Sequence, residues 1–183
     1  MTEPKSFVTD RTKLWAKRSA VHYLGTYSSS VENLRQTVEK RALRKYEGIS
    51  EDEARDLANH AVDFCVQNQF ISDESYADTK TAAGIRKGYS RSRIQMKLEQ
   101  KGVDREIAIT ALQDVDDLQN AIIFAKRKRL GPWRTKELDI KQKQRELGSF
   151  ARNMFPGCIA SKVIHMDLEE AEEILQPSGR GPN

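Results

Sequence analysis

The sequence predicts an all-α protein organised as a small helical array, and three observations support this class. The segment 71–103 has the pattern of helices separated by a basic connection and a glycine, and the pattern recurs in weaker form on both sides. No segment alternates apolar and polar residues with the β-branched enrichment that is typical of strands. Hydrophobic residues make up 38% of the 183 residues and charged residues 32%, which favours a thin core in an elongated molecule.

The first predicted unit has clear helix boundaries. One helix ends at Gly25, and Ser30 caps the next helix, because serine oxygen accepts a hydrogen bond from an otherwise unpaired N–H group. Ser50 and Glu53 have the spacing of a capping box, which predicts a third helix. The apolar positions of these two later helices are Leu34 and Val38, then Leu57, Ala61, Phe64 and Cys65.

The second unit repeats this arrangement. Ser72 or Asp73 caps its first helix, and Ser90, which lies 60 residues after Ser30, caps the second. Gly102 follows a cationic last turn and predicts a helix end, after which Asp104 caps a third helix. The predicted apolar positions are Ile94 and Leu98, then Ile107, Ala111 and Leu112.

A third unit is weaker. Its first helix has an apolar face, and Gly131-Pro132 then breaks the chain. Met154 stands where Gly102 stands in the second unit, so the sequence predicts that the glycine stop is lost here. The apolar positions are Leu118, Ala121, Ile122 and Ala125, then Phe150, Phe155, Ile159 and Ile164.

These patterns divide the chain into five segments. We predict a disordered tail over 1–12, repeat 1 over 13–71, repeat 2 over 72–115 and repeat 3 over 116–166. Residues 167–183 are predicted to form an acidic helical extension and a disordered tail that begins at Pro177.

Charge is segregated along the chain, and the net charge is +4. Basic residues dominate the middle and the region after residue 125, whereas acidic residues collect around 47–56 and 167–173. Such basic tracts favour an acidic partner, either a nucleic-acid backbone or an acidic protein groove.

The sequence offers little for catalysis or cofactor binding. Cys65 and Cys158 are far apart and have no metal-ligand spacing, which favours a reduced, cytoplasmic setting. The N-terminal sequence is not that of a secretory signal, and no apolar run is long enough to span a bilayer. The three histidines are scattered, and no nucleophile, base and orienting group belong together. We therefore expect neither an enzyme nor a cofactor.

The segment SDESYADTKTAAGIRKGYSRSRIQMKLEQKGV resembles the signature region of the RecX family, bacterial regulators of the RecA recombinase. The resemblance spans about residues 13–166. Its positions are Asp73, Glu74, Tyr76, Ala77, Gly88, Tyr89, Ile94, Leu98, Lys101, Gly102 and Val103. This family usually has a glycine near Met154, and the present sequence departs from it there.

The resemblance implies three tandem three-helix repeats that form an elongated, curved array. It also implies binding along the groove of the RecA–single-stranded-DNA filament, with inhibition of the ATPase, strand-exchange and co-protease functions of RecA. These functions belong to DNA repair and the SOS response, and we expect the chain to act as a monomer.

Basic residues of repeats 2 and 3 are the candidates for contact with the filament or with DNA phosphate. Arg93, Lys97 and Lys101 are spaced four apart along one side of a helix, and the alternative is an ordinary solvated face. The run 126–129 carries no base specificity, and its alternative is the polar end of a helix. The candidates are Arg86, Lys87, Arg91, Arg93, Lys97, Lys101, Lys126, Arg127, Lys128, Arg129, Lys141, Lys143 and Arg145.

Aromatic residues are the remaining candidates for base stacking or interface contact. Tyr76, Tyr89, Phe70 and Phe124 have helical spacing beside apolar residues, which favours a place in the core over stacking on bases. Trp133 follows the Gly-Pro break, and an exposed Trp133 would suit an interface.

The sequence thus favours a RecA regulator, with two rival functions. A sequence-nonspecific DNA-binding protein would bind DNA tightly and with a steep salt dependence in the absence of RecA. An all-α protein–protein scaffold would have no effect on recombinase activity.

Overall fold

The computed structural model describes residues 6–176, which form ten α-helices and one 3-10 turn, with no strand among them. The prediction of an all-α fold of three-helix repeats is confirmed. The helices are α1 (Asp10–Leu24), α2 (Val31–Lys45), α3 (Glu51–Gln67), α4 (Asp73–Arg86), α5 (Arg91–Glu99), α6 (Arg105–Ala111), α7 (Asp117–Lys128), α8 (Ile140–Arg152), α9 (Gly157–His165) and α10 (Leu168–Leu175), with the 3-10 turn at Gly131–Trp133.

The chain forms two compact units. Unit 1 comprises the residues up to Asp78 together with Leu98–Ala108, and unit 2 comprises Thr79–Lys97 together with the residues from Ile109 onward. Helices α4, α5 and α6 are therefore each divided between the units. Repeat 2 contributes to both units, with α1–α3 in unit 1 and α7–α10 in unit 2.

Polar caps fix the helix starts, as the sequence predicts. Ser30 accepts a hydrogen bond from the Asn33 N–H group, and Ser50 with Glu53 forms the predicted capping box. Ser90 accepts from the Arg93 N–H group at 3.1 Å. At α4 the choice between two caps is resolved, because Ser72 accepts from the Ser75 N–H group. Asp73 is left to bond elsewhere.

The turn between the second and third helices is left-handed in every repeat. Gly48 has φ 83°, Gly102 has φ 74° and Met154 has φ 62°. Met154 and Phe155 donate N–H bonds to carbonyls of α8 at 2.9 and 3.2 Å. The prediction that Met154 loses the helix stop is wrong, because this residue adopts the glycine conformation and α8 ends at Arg152.

The two units have different interiors. The core of unit 1 is rich in alanine, with Ala16, Ala20, Ala42, Ala54, Ala58 and Ala61 around Leu34 and Leu57. Small side chains allow α1, α2 and α3 to approach closely. The core of unit 2 instead contains Phe124, Phe150 and Phe155, whose ring centroids lie 5.3 to 5.7 Å apart.

The N-terminal boundary differs from the prediction. Helix α1 begins at Asp10, inside the segment predicted to be a disordered tail, because Thr9 and Thr12 form a capping box. Ahead of it, the Phe7 N–H group donates to Glu53 at 2.8 Å. Residues 1–5 and 177–183, which hold the rest of the predicted tails, lie outside the described residues.

Candidate functional site

The start of α2 carries a hydrogen-bonded contact between repeats 1 and 2, which we call the first repeat contact. The Ser30 hydroxyl donates to the Lys101 carbonyl. The Val31 N–H group donates to Asp73 Oδ1 at 2.9 Å, and Lys101 Nζ donates to Asn33 Oδ1 at 3.0 Å. Burial raises the pKa of Asp73, and the bond from Val31 opposes that rise. These groups all lie within unit 1.

The start of α5 carries the same arrangement between repeats 2 and 3, which we call the second repeat contact. The Ser90 hydroxyl donates to the Asn153 carbonyl at 2.8 Å. The Arg91 N–H group donates to Asp117 Oδ1 at 2.6 Å. Each contact therefore joins a serine cap to the left-handed turn of the next repeat, and joins the following N–H group to the aspartate that opens the next repeat.

The predicted basic row on α5 is largely occupied by these contacts. Arg93 donates to Asn153 Oδ1, and its guanidinium lies 4.0 Å from the Tyr89 ring centroid. Arg91 donates to the Gln113 and Val115 carbonyls at 2.9 and 3.0 Å. Lys101 lies beyond the end of α5 and bonds to Asn33. Lys97 is exposed, with Nζ 5.6 Å from the Tyr89 ring centroid.

The basic residues at the ends of α4 and α7 lie close together in unit 2. Arg127 donates to the Lys87 carbonyl at 2.6 Å, and both side chains are exposed, as is Arg86. Lys126 Nζ lies 5.7 Å from the Trp133 ring centroid. This arrangement brings two of the predicted basic clusters, 86–87 and 126–127, onto one surface.

A basic cleft lies in repeat 3 between the end of α7, the connection that follows it and α8. Its volume is about 450 Å³. Among its described lining residues, six are cationic and one is acidic. The lining comprises Lys128, Arg129, Leu130, Arg134, Thr135, Lys136, Gln142, Arg145, Glu146, Ser149 and Arg152. We call it the repeat 3 cleft.

Glu146 is the acidic residue of the repeat 3 cleft, and it is 0% exposed. Arg134 donates to both of its carboxylate oxygens at 3.1 Å, and the Gly131 N–H group donates at 2.9 Å. Burial alone would raise the pKa of Glu146, but the bonds from Arg134, Gln142 and Gly131 together lower it below the usual value. The carboxylate thereby holds the connection after α7 against α8.

The cleft includes some predicted residues and omits others. Lys128, Arg129 and Arg145 line it, whereas Lys141 and Lys143 are exposed on α8 outside its lining. Sequence reasoning did not select Arg134, Lys136 or Arg152 as binding residues. The signal that could have selected Arg152 is its place seven residues, or two helical turns, after Arg145.

The aromatic predictions divide. Tyr76 and Phe124 are buried in the cores, as expected, and Tyr89 is half-buried beneath Arg93. The core placement of Phe70 is wrong, because its side chain is 52% exposed and packs edge-on against Phe64. Trp133 is half-buried against the core of unit 2 rather than exposed, because the 3-10 turn directs the chain back onto that core.

Among residues 6–176, no group of three or more His, Cys, Asp or Glu side chains has the arrangement of a metal site. None of the helices in that range combines the length and apolar character needed to cross a bilayer.

Comparison with known proteins identifies the family. The chain is 38% identical to the regulatory protein RecX of Agrobacterium fabrum over 167 residues, which is 91% of this chain and 91% of that protein. The chain belongs to the RecX family. The family model described as the second three-helix domain of RecX matches residues 72–112, which include α4, α5 and α6 with the turns between them.

A further relative agrees with this assignment, and a solved structure shares the fold. The regulatory protein RecX of Myxococcus xanthus is 32% identical over 157 residues, which is 82% of this chain and 84% of that protein. The crystal structure of RecX from Lactobacillus salivarius matches with a TM-score of 0.64 at 17% identity and covers 90% of this chain and 99% of that one. The likeness to the Lactobacillus salivarius structure supports the RecX fold.

Proposed function

We propose that this chain binds the RecA–single-stranded-DNA filament and restrains the ATPase, strand-exchange and co-protease activities of RecA. The observation that carries the proposal is the identity of 38% over 91% of the chain to a protein named as a regulator. In this role the chain acts as a monomeric regulator in the cytoplasm rather than as an enzyme.

The contacts of the described residues reduce the number of candidate cations that are free to meet the filament. Arg91, Arg93 and Lys101 already hold neighbouring repeats, so we assign them to the repeat contacts rather than to the partner. Exposed cations remain along both later repeats and supply the proposed contact. They are Arg86, Lys87, Lys97, Lys126, Arg127, Lys128, Arg129, Lys141, Lys143 and Arg145.

Several modest contacts on one chain explain why an assembled filament would be preferred over free RecA. Once one surface is bound, the next contact forms within the complex and benefits from a high effective concentration. A single RecA subunit presents fewer such contacts than a filament does.

The test is RecA ATP hydrolysis on single-stranded DNA while the chain is titrated in below the RecA concentration. Filament regulation predicts inhibition at substoichiometric ratios. Inhibition that requires enough protein to coat the DNA would favour simple competition for DNA, and absence of inhibition would contradict the proposal.

A further inference from the structure

The repeat 3 cleft concentrates positive charge beyond what its own acid can balance. Six cationic side chains line it, and its acidic residue, Glu146, is already bonded to Arg134. Five cations thus face the cleft without a carboxylate among its described lining residues. Like charges that line one cleft repel one another, and a cleft lined by one sign of charge raises the local concentration of anions. An anionic ligand would relieve this repulsion.

The geometry of the cleft is held in place by bonds that do not depend on a ligand. Arg134 is fixed by two bonds to Glu146 and by a further bond to the Ile164 carbonyl. Arg145 and Arg152 project from α8, seven residues apart and hence on nearly the same face. Because Arg134 is held by these bonds, the connection that forms one wall of the cleft is in place before an anion binds.

The lining favours a phosphate backbone over an acidic protein. Protein interfaces rely on buried aromatic or large apolar anchors. Among the described residues that line the cleft, Leu130 is the apolar side chain and none is aromatic. Four of the six cations are arginines, whose planar forks match the oxygens of a phosphate group. In its described lining, such a cleft lacks aromatic rings or an amide pair that could contact base edges, so it would not distinguish one base sequence from another.

We infer that the repeat 3 cleft binds the phosphodiester backbone of DNA without sequence preference. The inference deepens the proposed function and rests on it for the presence of DNA at this surface. It assigns to Arg145 and Arg152 direct contact with phosphate, and to Arg134 and Glu146 the positioning of the connection that forms the cleft wall.

The test uses the full chain, fluorescein-labelled oligothymidine and fluorescence anisotropy over a series of salt concentrations, without RecA. Arg145→Gln with Arg152→Gln removes two cleft cations. Lys40→Gln with Arg44→Gln removes two exposed cations from α2, outside the cleft and outside the proposed filament contact, and serves as the matched control. Both pairs change the net charge equally, and thermal unfolding followed by circular dichroism checks that each variant folds.

The cleft pair is expected to weaken oligothymidine binding by roughly tenfold and to reduce the slope of log affinity against log salt by about 1.4. The control pair is expected to change affinity by less than about twofold. Lys128→Gln with Lys136→Gln repeats the test on the opposite wall of the cleft, so that poor folding of one variant leaves the inference testable.

Three outcomes would overturn the inference. Equal losses in the cleft and control pairs would show diffuse charge attraction. Undiminished binding by the cleft variants would place DNA elsewhere. Displacement of oligothymidine by polyglutamate as readily as by tripolyphosphate would mark the cleft as a site for acidic protein.

The RecA assay separates this inference from the proposed function. If the wild-type chain binds oligothymidine through the cleft but does not inhibit RecA, the proposed function fails alone. If the chain inhibits RecA while the cleft and control pairs bind oligothymidine equally, the inference fails alone.

Discussion

Unit 1 and unit 2 are built on the same repeat contact but are stabilised by different interiors. In both, a serine hydroxyl donates to a carbonyl of the next repeat's turn and an N–H group donates to its opening aspartate. Unit 1 encloses mainly alanine and leucine, whereas unit 2 encloses three phenylalanines and the carboxylate of Glu146. The contact therefore specifies how repeats join, and the core composition is free to vary.

The connection between the first and second helices also differs between repeats 1 and 3. In repeat 1 this connection runs only from Gly25 to Ser30, whereas in repeat 3 it runs from Arg129 to Asp139. The longer segment needs its own anchor, and Glu146 supplies it through Gly131 and Arg134. The anchored connection also forms one wall of the repeat 3 cleft. Arg134 and Glu146 therefore both stabilise the fold and line the candidate binding site.

The largest expected effect is on unit 2 alone. Glu146→Leu leaves Arg134 and the Gly131 N–H group without their carboxylate, which we expect to cost about 3–5 kcal/mol. Each unit contains one tryptophan, Trp15 or Trp133, so urea unfolding of Trp15→Phe and Trp133→Phe backgrounds reports the units separately. Equal shifts of both transitions would show that the units unfold as one body.

Removing glycine from one left-handed turn should lower the free energy of unfolding, and introducing glycine into another should raise it. Gly102→Ala places a Cβ atom at positive φ and into the Glu32 side chain, so we expect a loss of at least about 2 kcal/mol. Met154→Gly relieves the same conformation at a 40% exposed side chain, so we expect a gain of roughly 0.5–1 kcal/mol. Urea midpoints measure both, and a loss for Met154→Gly would mean that its side-chain packing outweighs the strain.

The two repeat contacts should be energetically similar. Ser30→Ala and Ser90→Ala each remove a helix cap and a bond to the next repeat, and we expect each to cost about 1 kcal/mol. Each unit's tryptophan should detect its own variant by equilibrium unfolding. A cost confined to one serine would break the equivalence of the contacts.

The smallest expected effect is a pH dependence of opposite sign in the two units. The pKa of Glu146 is lowered on folding. Its contribution to the free energy of unfolding is therefore present above the usual glutamate pKa and is lost as pH falls through the lowered folded value. The pKa of Asp73 is raised, so its contribution is greatest below the usual aspartate pKa and declines as pH rises through the raised folded value.

Glu146→Gln should therefore reduce the stability that unit 2 loses as the pH falls. Asp73→Asn should remove the stability that unit 1 gains at low pH. Thermal unfolding between about pH 6 and 3 measures both. Identical pH profiles of the wild type and Glu146→Gln would contradict the assignment for unit 2.

Local features of this fold could be predicted from sequence, because caps and glycine turns depend on neighbouring residues. Ser30, Ser50 and Ser90 all begin helices as predicted, and Gly102 ends one. The prediction that the helix stop is lost at Met154 was wrong because residue type only biases backbone conformation. The surrounding packing can hold methionine at positive φ.

Long-range pairing could not be predicted in the same way. Asp73 and Val31 are 42 residues apart, and no local rule pairs them. The candidate row on α5 was chosen by charge and helical spacing, which are blind to the neighbouring repeats that Arg93 and Lys101 contact. Burial of Glu146 is equally hidden, because the sequence around it is polar and basic.

The central claim is that the assembled filament is the preferred partner. Cys158 is exposed and Cys65 is buried, so a fluorophore can be attached selectively at Cys158. The labelled chain would be titrated with RecA–single-stranded-DNA filament, with free RecA and with bare DNA, and its anisotropy followed. If the filament is the preferred partner, the labelled chain binds most tightly to the filament. Binding to bare DNA as tight as to the filament would contradict it.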